Sequence, residues 1–184
     1  DVVVISQNIT PPTANAGIDA TLTCTTTSTI IGSPGVAGNT YSWTPPAGLS
    51  STSIAQPTAT APGTYTLTVT NTANGCTATD AVVISRNITP PVANAGTDKT
   101  LTCTVTSVQI GTAAVAGNTY AWTPPAGLSS TSIAQPTATA PGTYTLTVTN
   151  TANGCTATDA VVVTQGTLPP IADAGTDQTL TCTQ

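Results

Sequence analysis

The chain has 184 residues, a net charge of −5, no histidine and only two basic residues, Arg86 and Lys99. Nucleic-acid binding needs clustered lysine and arginine, so this composition excludes it. Acid–base enzymes usually recruit His, Glu or Lys, whereas all seven acids here are aspartates. We therefore expect no enzymatic activity, no catalytic residues, no cofactor and no bound metal.

The first part of the chain, up to residue 61, is predicted to form short strands. A stiff Pro11-Pro12 linker opens the pattern, and Gly17 bends the chain shortly after it. The strand predicted at 39–44 carries Tyr41 and Trp43 and is followed by the breaker Pro45-Pro46-Ala47-Gly48. The predicted short strands are 14–17, 20–24, 29–32, 39–44 and 56–61.

A hairpin of two long strands follows. Tyr65, Leu67 and Val69 alternate with threonines, which is the period of a strand with one buried and one wet face. Asn74-Gly75 is a strong hairpin-turn signal, because both residues tolerate positive φ. We expect the returning strand to begin at Cys76.

The whole pattern then returns with a period of 79 residues. Segment 63–83 recurs unchanged as 142–162. The cysteines follow the same spacing in two series, Cys24, Cys103 and Cys182, and Cys76 and Cys155. A period of this length describes a small β domain. We divide the chain into the last strand of a preceding repeat (1–8), two β-sandwich repeats (9–87 and 88–166) and the first strands of a following repeat (167–184), as in a window of a tandem array.

About seven short strands per repeat, punctuated by Gly and Pro, predict an all-β fold built from antiparallel sandwiches. No apolar pattern with helical spacing is present. Val83 falls on the outer face by parity. The predicted core comprises Leu22, Ile31, Trp43, Leu49, Ile54, Tyr65, Leu67, Val69, Val82 and Ile84, with Trp122, Tyr144, Leu146 and Val148 in the second repeat.

Several segments resemble known families. PGTYTLTV resembles the sixth strand of immunoglobulin-like domains, with Tyr65 and Tyr144 in the tyrosine-corner place and Leu67 and Leu146 where the sheet-bridging cysteine usually lies. ANAGTDKTLTC, YAWTPPAGLS and YTLTVTNTANGC are similar to PKD-like and Ig-like tandem repeats of giant gliding-type and adhesin-type surface proteins of Bacteroidota. This resemblance implies an extracellular, cell-surface stalk or filament exported by a type IX-like route.

Five regularly spaced cysteines without a metal-type CxxC motif indicate disulfides made in an oxidising compartment. In an Ig-like topology Cys24 lies at the C-terminal end of its unit and Cys76 at the N-terminal end, roughly 23 Å apart. A disulfide needs Cα atoms within about 7 Å. Cys24–Cys155, which joins successive repeats, is therefore the leading pairing. Pairing within repeats, Cys24–Cys76 and Cys103–Cys155, stays open, and Cys182 has no assigned partner.

Other side chains suggest weaker sites. Asp19, Asp98 and Asp177 recur after Ala-Gly, and Asp80 and Asp159 recur in the last strand. Calcium prefers six to eight oxygens and usually several carboxylates, so turn capping is favoured for these dispersed aspartates. Asn8 and Asn87 match the N-glycosylation sequon.

The sequence therefore predicts a structural, non-enzymatic repeat array without a membrane-inserted segment. Its partner is expected to be itself, through neighbouring repeats and lateral association into fibres. Two alternatives remain open: a passive spacer for a functional domain elsewhere, and a repeat that binds glycans or ice through aromatic side chains or threonine ranks.

Overall fold

The computed structural model describes residues 1–166, 173, 175–179 and 182, and these residues form strands and no helix. The described part of the chain therefore contains no helix that could cross a membrane. The predicted strands of a following repeat, in 167–184, lie largely outside the described residues. The strands are β1 (Ala20–Leu22), β2 (Thr29–Ile30), β3 (Asn39–Thr44), β4 (Thr58–Ala59), β5 (Gly63–Asn71), β6 (Thr77–Arg86), β7 (Lys99–Leu101), β8 (Val108–Gln109), β9 (Asn118–Thr123), β10 (Thr137–Ala138), β11 (Gly142–Asn150) and β12 (Thr156–Gln165).

The chain divides into two compact units. The first comprises Asp1–Val92 together with Thr149–Ala157, and the second comprises Ala93–Val148 together with Thr158–Gln184. The tip of the second long hairpin, Thr149–Ala157, thus belongs to the first unit.

The first unit is a sandwich of two sheets. Its larger sheet has the order β1-β6-β5-β3, and its smaller sheet pairs β2 with β4. β5 pairs with β3 and β6 in antiparallel register, whereas β1 runs parallel to β6, with Leu22 opposite Arg86. The predicted all-β, Ig-like sandwich is confirmed, with this one parallel edge strand.

The core of the first unit follows from the alternation in β5 and β6. Side chains two residues apart point to the same face of a strand, so Tyr65, Leu67 and Val69 all face inward. Burying one such side chain contributes about 1.5–3 kcal/mol. The buried cluster consists of Ala16, Leu22, Ile31, Trp43, Ala59, Tyr65, Leu67, Val69, Val82 and Ile84.

Polar atoms of the two large aromatic side chains are satisfied inside this core. The indole N–H of Trp43 donates to the carbonyl oxygen of Ile54 at 2.9 Å. The hydroxyl of Tyr65 lies 2.9 Å from the carbonyl oxygen of Ala61 and 3.1 Å from that of Ala47. This arrangement ties the segment after β3 to the start of β5.

The second unit repeats the architecture. Its larger sheet has the order β7-β12-β11-β9 and its smaller sheet pairs β8 with β10. The indole of Trp122 donates to Ile133, and the hydroxyl of Tyr144 lies within reach of the carbonyl oxygens of Ala126 and Ala140. Its buried cluster is Ala95, Leu101, Ile110, Trp122, Ala138, Tyr144, Leu146, Val148, Val161 and Val163.

Two core predictions need correction. Ile54 is 47% exposed, because its loop turns the backbone carbonyl, not the side chain, toward the Trp43 indole. Leu49 is only half-buried and packs at the margin of the cluster, where it makes an isolated bridge to Ala59. Val83 is 44% exposed, in agreement with its predicted outer face.

The predicted strand 14–17 is absent, so each repeat has six strands rather than seven. Ala16 instead donates its N–H to the Asp80 carboxylate at 2.8 Å and accepts from the N–H of Gly32 at 2.8 Å. Gly17 has φ of 95°, which turns the chain out of an extended path. The remaining short strands are trimmed: 20–24, 29–32 and 56–61 keep two or three paired residues each.

Residues 1–8 form no strand in this structure, and their assignment as the last strand of a preceding repeat stays a prediction. One further strand prediction is wrong. The connection between β5 and β6 is longer than a two-residue turn and β6 begins at Thr77. Only glycines have positive φ among the described residues, so Gly75 adopts it at 72° and Asn74 does not.

Candidate functional site

The first unit contains a disulfide that joins the two sequence repeats. Cys24, in the turn after β1, is bonded to Cys155, in the connection between β11 and β12. The two cysteines are 131 residues apart in sequence, and their Cα atoms are separated by 5.1 Å. The structure thus has the between-repeat pairing, which we call the staple.

The pairing within repeats is not adopted. Cys24 follows Leu22, which is opposite Arg86 at the C-terminal end of β6, whereas Cys76 immediately precedes the N-terminal end of β6. A strand rises about 3.3 Å per residue, so the length of β6 keeps these two cysteines apart. Cys24–Cys76 and Cys103–Cys155 are therefore corrected: Cys76, Cys103 and Cys182 are free thiols.

The turn that presents Cys24 is fixed by a threonine. The N–H of Thr23 donates to the carbonyl of Thr26 at 2.8 Å, and the Thr23 hydroxyl oxygen accepts from the N–H of Thr26 at 2.9 Å and of Thr25 at 3.3 Å. Such local side-chain bonds favour a turn over a continued strand. Cys24 is therefore held at the end of β1 with its N–H free to donate to Asn153, whose carbonyl oxygen lies 3.1 Å away.

Asn153 organises the tip that presents Cys155. Among the described residues it is the one polar side chain that is buried, with 2% of its surface exposed. Its amide group donates to the side-chain oxygen of Asn87 at 3.0 Å and to the carbonyl of Thr89 at 2.9 Å. Its side-chain oxygen accepts from the N–H of Cys155 at 2.9 Å. A buried amide needs such partners, because an unpaired one costs about 1–3 kcal/mol.

These bonds fix the segment that leads from one repeat to the next. The N–H of Asn87 donates to the carbonyl of Leu22 at 2.8 Å, while the side chain of Asn87 accepts from Asn153. The linker residues Asn87 and Thr89 are thus held both by the end of β1 and by the hairpin tip. Specific hydrogen bonds therefore hold this segment in place, and stiffness supplied by the prolines stays a prediction.

Close contact explains the glycine at the tip. A Cβ atom added to Gly154 would collide with the side chain of Thr25. Gly154 also has φ of 67°, a conformation that L side chains rarely adopt. The tip and the Cys24 turn are therefore complementary in shape at this position.

The same tip occurs in the first repeat without a bonded partner. Asn74 donates to the side-chain oxygen of Asn8 at 3.1 Å and to the carbonyl of Thr10 at 3.0 Å, and accepts from the N–H of Cys76 at 2.9 Å. Asn74 and Cys76 are half-buried, and a Cβ at Gly75 would meet nothing within 4 Å. The chain therefore contains one occupied and one open copy of the same tip.

Sequence reasoning missed the bracing role of these asparagines. It interpreted Asn74-Gly75 as a turn signal and Asn8 and Asn87 as sequons. The signal was present, since the linker asparagine and the tip asparagine both recur with the period of 79. N-glycosylation of the exposed Asn8 and Asn87 remains a prediction, and both side-chain oxygens already accept hydrogen bonds.

The aspartates act as hydrogen-bond acceptors for backbone groups. Asp80 accepts from Ala16, and Asp19 accepts from the N–H of Val83 at 2.8 Å. The second repeat has the same two bonds, made by Asp159 and Asp98. Asp177 is exposed. Within the described residues no three potential ligands cluster around a metal position, and the bonds seen here are structural.

The aromatic side chains do not form a sugar-stacking platform. Trp43, Trp122, Tyr65 and Tyr144 are buried to 1–2% exposure. Tyr41 and Tyr120 are half-buried, and their hydroxyl oxygens accept backbone N–H groups of Val36 and Val115. Glycan binding by stacking on tryptophan, one of the alternatives above, loses its structural basis.

The outer face of the larger sheet carries hydroxyl groups instead. Thr66, Thr68 and Thr70 of β5 lie opposite β3 residues on one side and β6 residues on the other. We call this surface the hydroxyl face; in the first unit it comprises Thr40, Ser42, Thr44, Thr66, Thr68, Thr70, Thr77 and Thr79. These residues carry no charge, and β6 continues the same outer face with the apolar Ala81 and Val83.

Comparison with known proteins gives fold-level similarities only. No family model and no curated protein matches the chain. The chain is similar to an I-band fragment of titin, with 14% identity, a TM-score of 0.49, and coverage of 86% of this chain and 66% of that one.

Two other solved structures show comparable similarity. Extracellular domains 3–5 of Drosophila OTK match with 15% identity, a TM-score of 0.43, and coverage of 82% and 60% of the two chains. The three N-terminal domains of the Highly Immunogenic Outer Capsid protein of bacteriophage RB49 match with 18% identity, a TM-score of 0.40, and coverage of 75% and 54%. The chain thus spans less than two thirds of the length of each of these three structures.

Proposed function

We propose that this chain is a structural repeat array that resists tension outside the cell and performs no catalysis. The observation that carries the proposal is the staple, which covalently joins two repeats across 131 residues of sequence. Disulfides persist in oxidising environments, which supports an extracellular, cell-surface location and export from the cell. The described residues form sandwiches with filled cores, and Asp19, Asp80, Asp98 and Asp159 accept hydrogen bonds from backbone groups.

The staple gives the array a specific mechanical property. Force applied to the two ends of the chain passes through the Cys24–Cys155 bond, so the residues between these cysteines are bypassed and carry no load. Without the bond, they unfold and extend in series with the rest. A fully extended chain gains 3.3–3.6 Å per residue, so the bypassed loop stores about 450 Å of extension.

Single-molecule pulling from Asp1 and Gln184 tests this property. We expect the oxidised chain to lack about 450 Å of final contour length that appears once a reductant is added. Cys155→Ala should show the full length in either condition, while Cys76→Ala, which keeps the staple, should behave like the parent chain. Equal contour lengths of the parent chain with and without reductant would overturn the proposal.

We further propose that copies of the array associate laterally into fibres through the hydroxyl face. An uncharged surface of short hydroxyl side chains imposes no charge repulsion on a copy packed against it, although the chain carries −5 overall. The proposed partner is therefore another copy of the array.

Electron microscopy of assembled material tests the lateral contact. Thr68→Lys places a charge on the hydroxyl face, and Thr147→Lys places one at the equivalent position of β11 in the second unit. Together they should convert multi-chain fibres into single threads. The matched control, Gln56→Lys with Gln135→Lys, adds the same charge at exposed loop positions and should leave fibres intact. Single threads from the parent chain would favour the spacer alternative, and thermal hysteresis in solution would favour ice binding.

A further inference from the structure

The hairpin tip that carries Cys155 contains a chemically labile pair, Asn153-Gly154. Asparagine is a labile residue, and it deamidates most readily before glycine, which has no Cβ to hinder attack by its own backbone nitrogen. The sequence has two such pairs, Asn74-Gly75 and Asn153-Gly154. Asn153 also holds the segment that leads from one repeat to the next, so a change in its chemistry affects that segment.

The docked tip holds both reacting groups away from this reaction. The N–H of Gly154 donates to the carbonyl oxygen of Asn150 at 2.8 Å, so the attacking nitrogen is engaged. The side-chain amide of Asn153 is held by the hydrogen bonds described above and is 2% exposed. The side chain of Thr25 lies directly against Gly154. Both groups must leave these positions before they can react, so deamidation requires a local opening of the tip.

Deamidation is a ring closure followed by hydrolysis. The backbone nitrogen of Gly154 loses its proton and forms a bond to the side-chain carbon Cγ of Asn153, and the former amide nitrogen leaves as ammonia. Water then opens the cyclic imide to give aspartate or isoaspartate. Water is the one co-reactant, and the product carries one more carboxylate than the starting chain.

The product does not fit the docked tip. An ionised carboxylate has no N–H to donate. An oxygen of Asp at position 153 would therefore face the side-chain oxygen of Asn87 and the carbonyl oxygen of Thr89, where the amide nitrogen of Asn153 now donates at 3.0 Å and 2.9 Å. A buried charge without a partner is strongly destabilising.

We propose that docking of the tip on the Cys24 turn protects Asn153 from deamidation, and that deamidation makes an undocking of the tip permanent. The staple contributes to this protection, because it keeps the tip beside the turn after an opening and so favours its return. A tip that stays docked keeps its asparagine, and one that stays open loses it. The inference goes beyond the proposed array function and does not depend on it.

The two identical tips allow a test within one chain. Trypsin cleaves after Arg86 and Lys99, so the two tips fall on different fragments and mass spectrometry follows each deamidation separately. At neutral pH the folded, oxidised chain should lose Asn153 severalfold more slowly than the half-buried Asn74, whose neighbour Gly75 has open space around it among the described residues. In denaturant with a reductant the two rates should be equal, because the surrounding sequences are identical.

Removing the staple tests its contribution without changing the sequence of the tip. Cys24→Ala should raise the deamidation rate of Asn153 severalfold and leave that of Asn74 unchanged. The matched control is Cys103→Ala, which changes the equivalent turn position but keeps the staple and should leave both rates as in the parent chain. Equal rates at the two asparagines of the folded parent chain, or a rate at Asn153 that does not respond to Cys24→Ala, would overturn the protection.

Asn153→Asp imitates the deamidated product. It should lower the denaturant midpoint of the first unit at least as far as Asn153→Ala, because alanine leaves the two acceptors unpaired whereas a carboxylate opposes them. Asn74→Asp, the matched control in the more exposed tip, should lower it less. A midpoint of the Asn153→Asp chain close to that of the parent would overturn the permanence of undocking. Such a failure leaves the array function standing, because the pulling experiment depends on the Cys24–Cys155 bond.

Discussion

Replacing Cys155 with alanine should lower the free energy of unfolding of the first unit by about 5 kcal/mol. The physical reason is chain entropy: the staple closes a loop of 131 residues, and a long closed loop restricts the unfolded chain more than a short one. The measurement is denaturant unfolding followed by tryptophan fluorescence. Trp122→Phe in every variant leaves Trp43, in the first unit, as the sole reporter.

Cys76→Ala is the matched control. Cys76 occupies the equivalent tip position, is half-buried and carries no disulfide, so its replacement should change stability by less than about 1 kcal/mol. A reductant should bring the parent chain to the stability of the Cys155→Ala variant and leave that variant unchanged. Equal stabilities of the parent and Cys155→Ala chains under oxidising conditions would show that the staple does not stabilise the fold.

Asn153→Ala should cost about 3 kcal/mol in the same assay, although it removes only a side-chain amide. The loss leaves three groups without their partner: the N–H of Cys155, the side-chain oxygen of Asn87 and the carbonyl of Thr89. Asn153 is 2% exposed, so water cannot readily replace these bonds. We also expect faster hydrogen exchange at the N–H of Cys155.

Asn74→Ala removes the same set of bonds from the open tip and serves as the comparison. Asn74 is half-buried, so water can satisfy the groups that it leaves, and the expected cost is about 1 kcal/mol. The difference between the losses in free energy of unfolding of the two variants measures the stability that the tip gains from being enclosed against the Cys24 turn. Equal losses of free energy of unfolding in the two variants would mean that contact with the Cys24 turn does not stabilise the tip.

Together these residues explain how a chain with few charges and short strands gains stability where its repeats meet. Each repeat has a small core, and a core of this size supplies limited stability by itself. The staple and the Asn153 bonds add stability at the place where one repeat leads into the next. The linker is thereby fixed by bonds that both repeats supply, which suits a protein proposed to transmit tension.

The sequence alone determined the parts that depend on local periodicity. Alternation in 64–70 placed Tyr65, Leu67 and Val69 in the core, and the identical copy did the same for Tyr144, Leu146 and Val148. Side-chain direction in a strand alternates with every residue, so neighbouring sequence suffices to assign the faces. The Gly and Pro punctuation was likewise sufficient to predict a sandwich.

Only the tertiary structure decided which groups meet across long stretches of chain. The spacing of the cysteines left open whether Cys24 pairs with Cys76 or with Cys155. The structure pairs β1 with the C-terminal end of β6, which places Cys24 far from Cys76 and beside Cys155. Ile54 was assigned to the core because it is apolar. In the structure its backbone carbonyl accepts the hydrogen bond of the Trp43 indole, and its side chain points outward. Asn153 looked like an ordinary turn residue, because its partners in the linker lie 64 and 66 residues away in sequence. Such contacts are set by which backbone groups remain unpaired once the strands have assembled, and local sequence patterns do not contain that information.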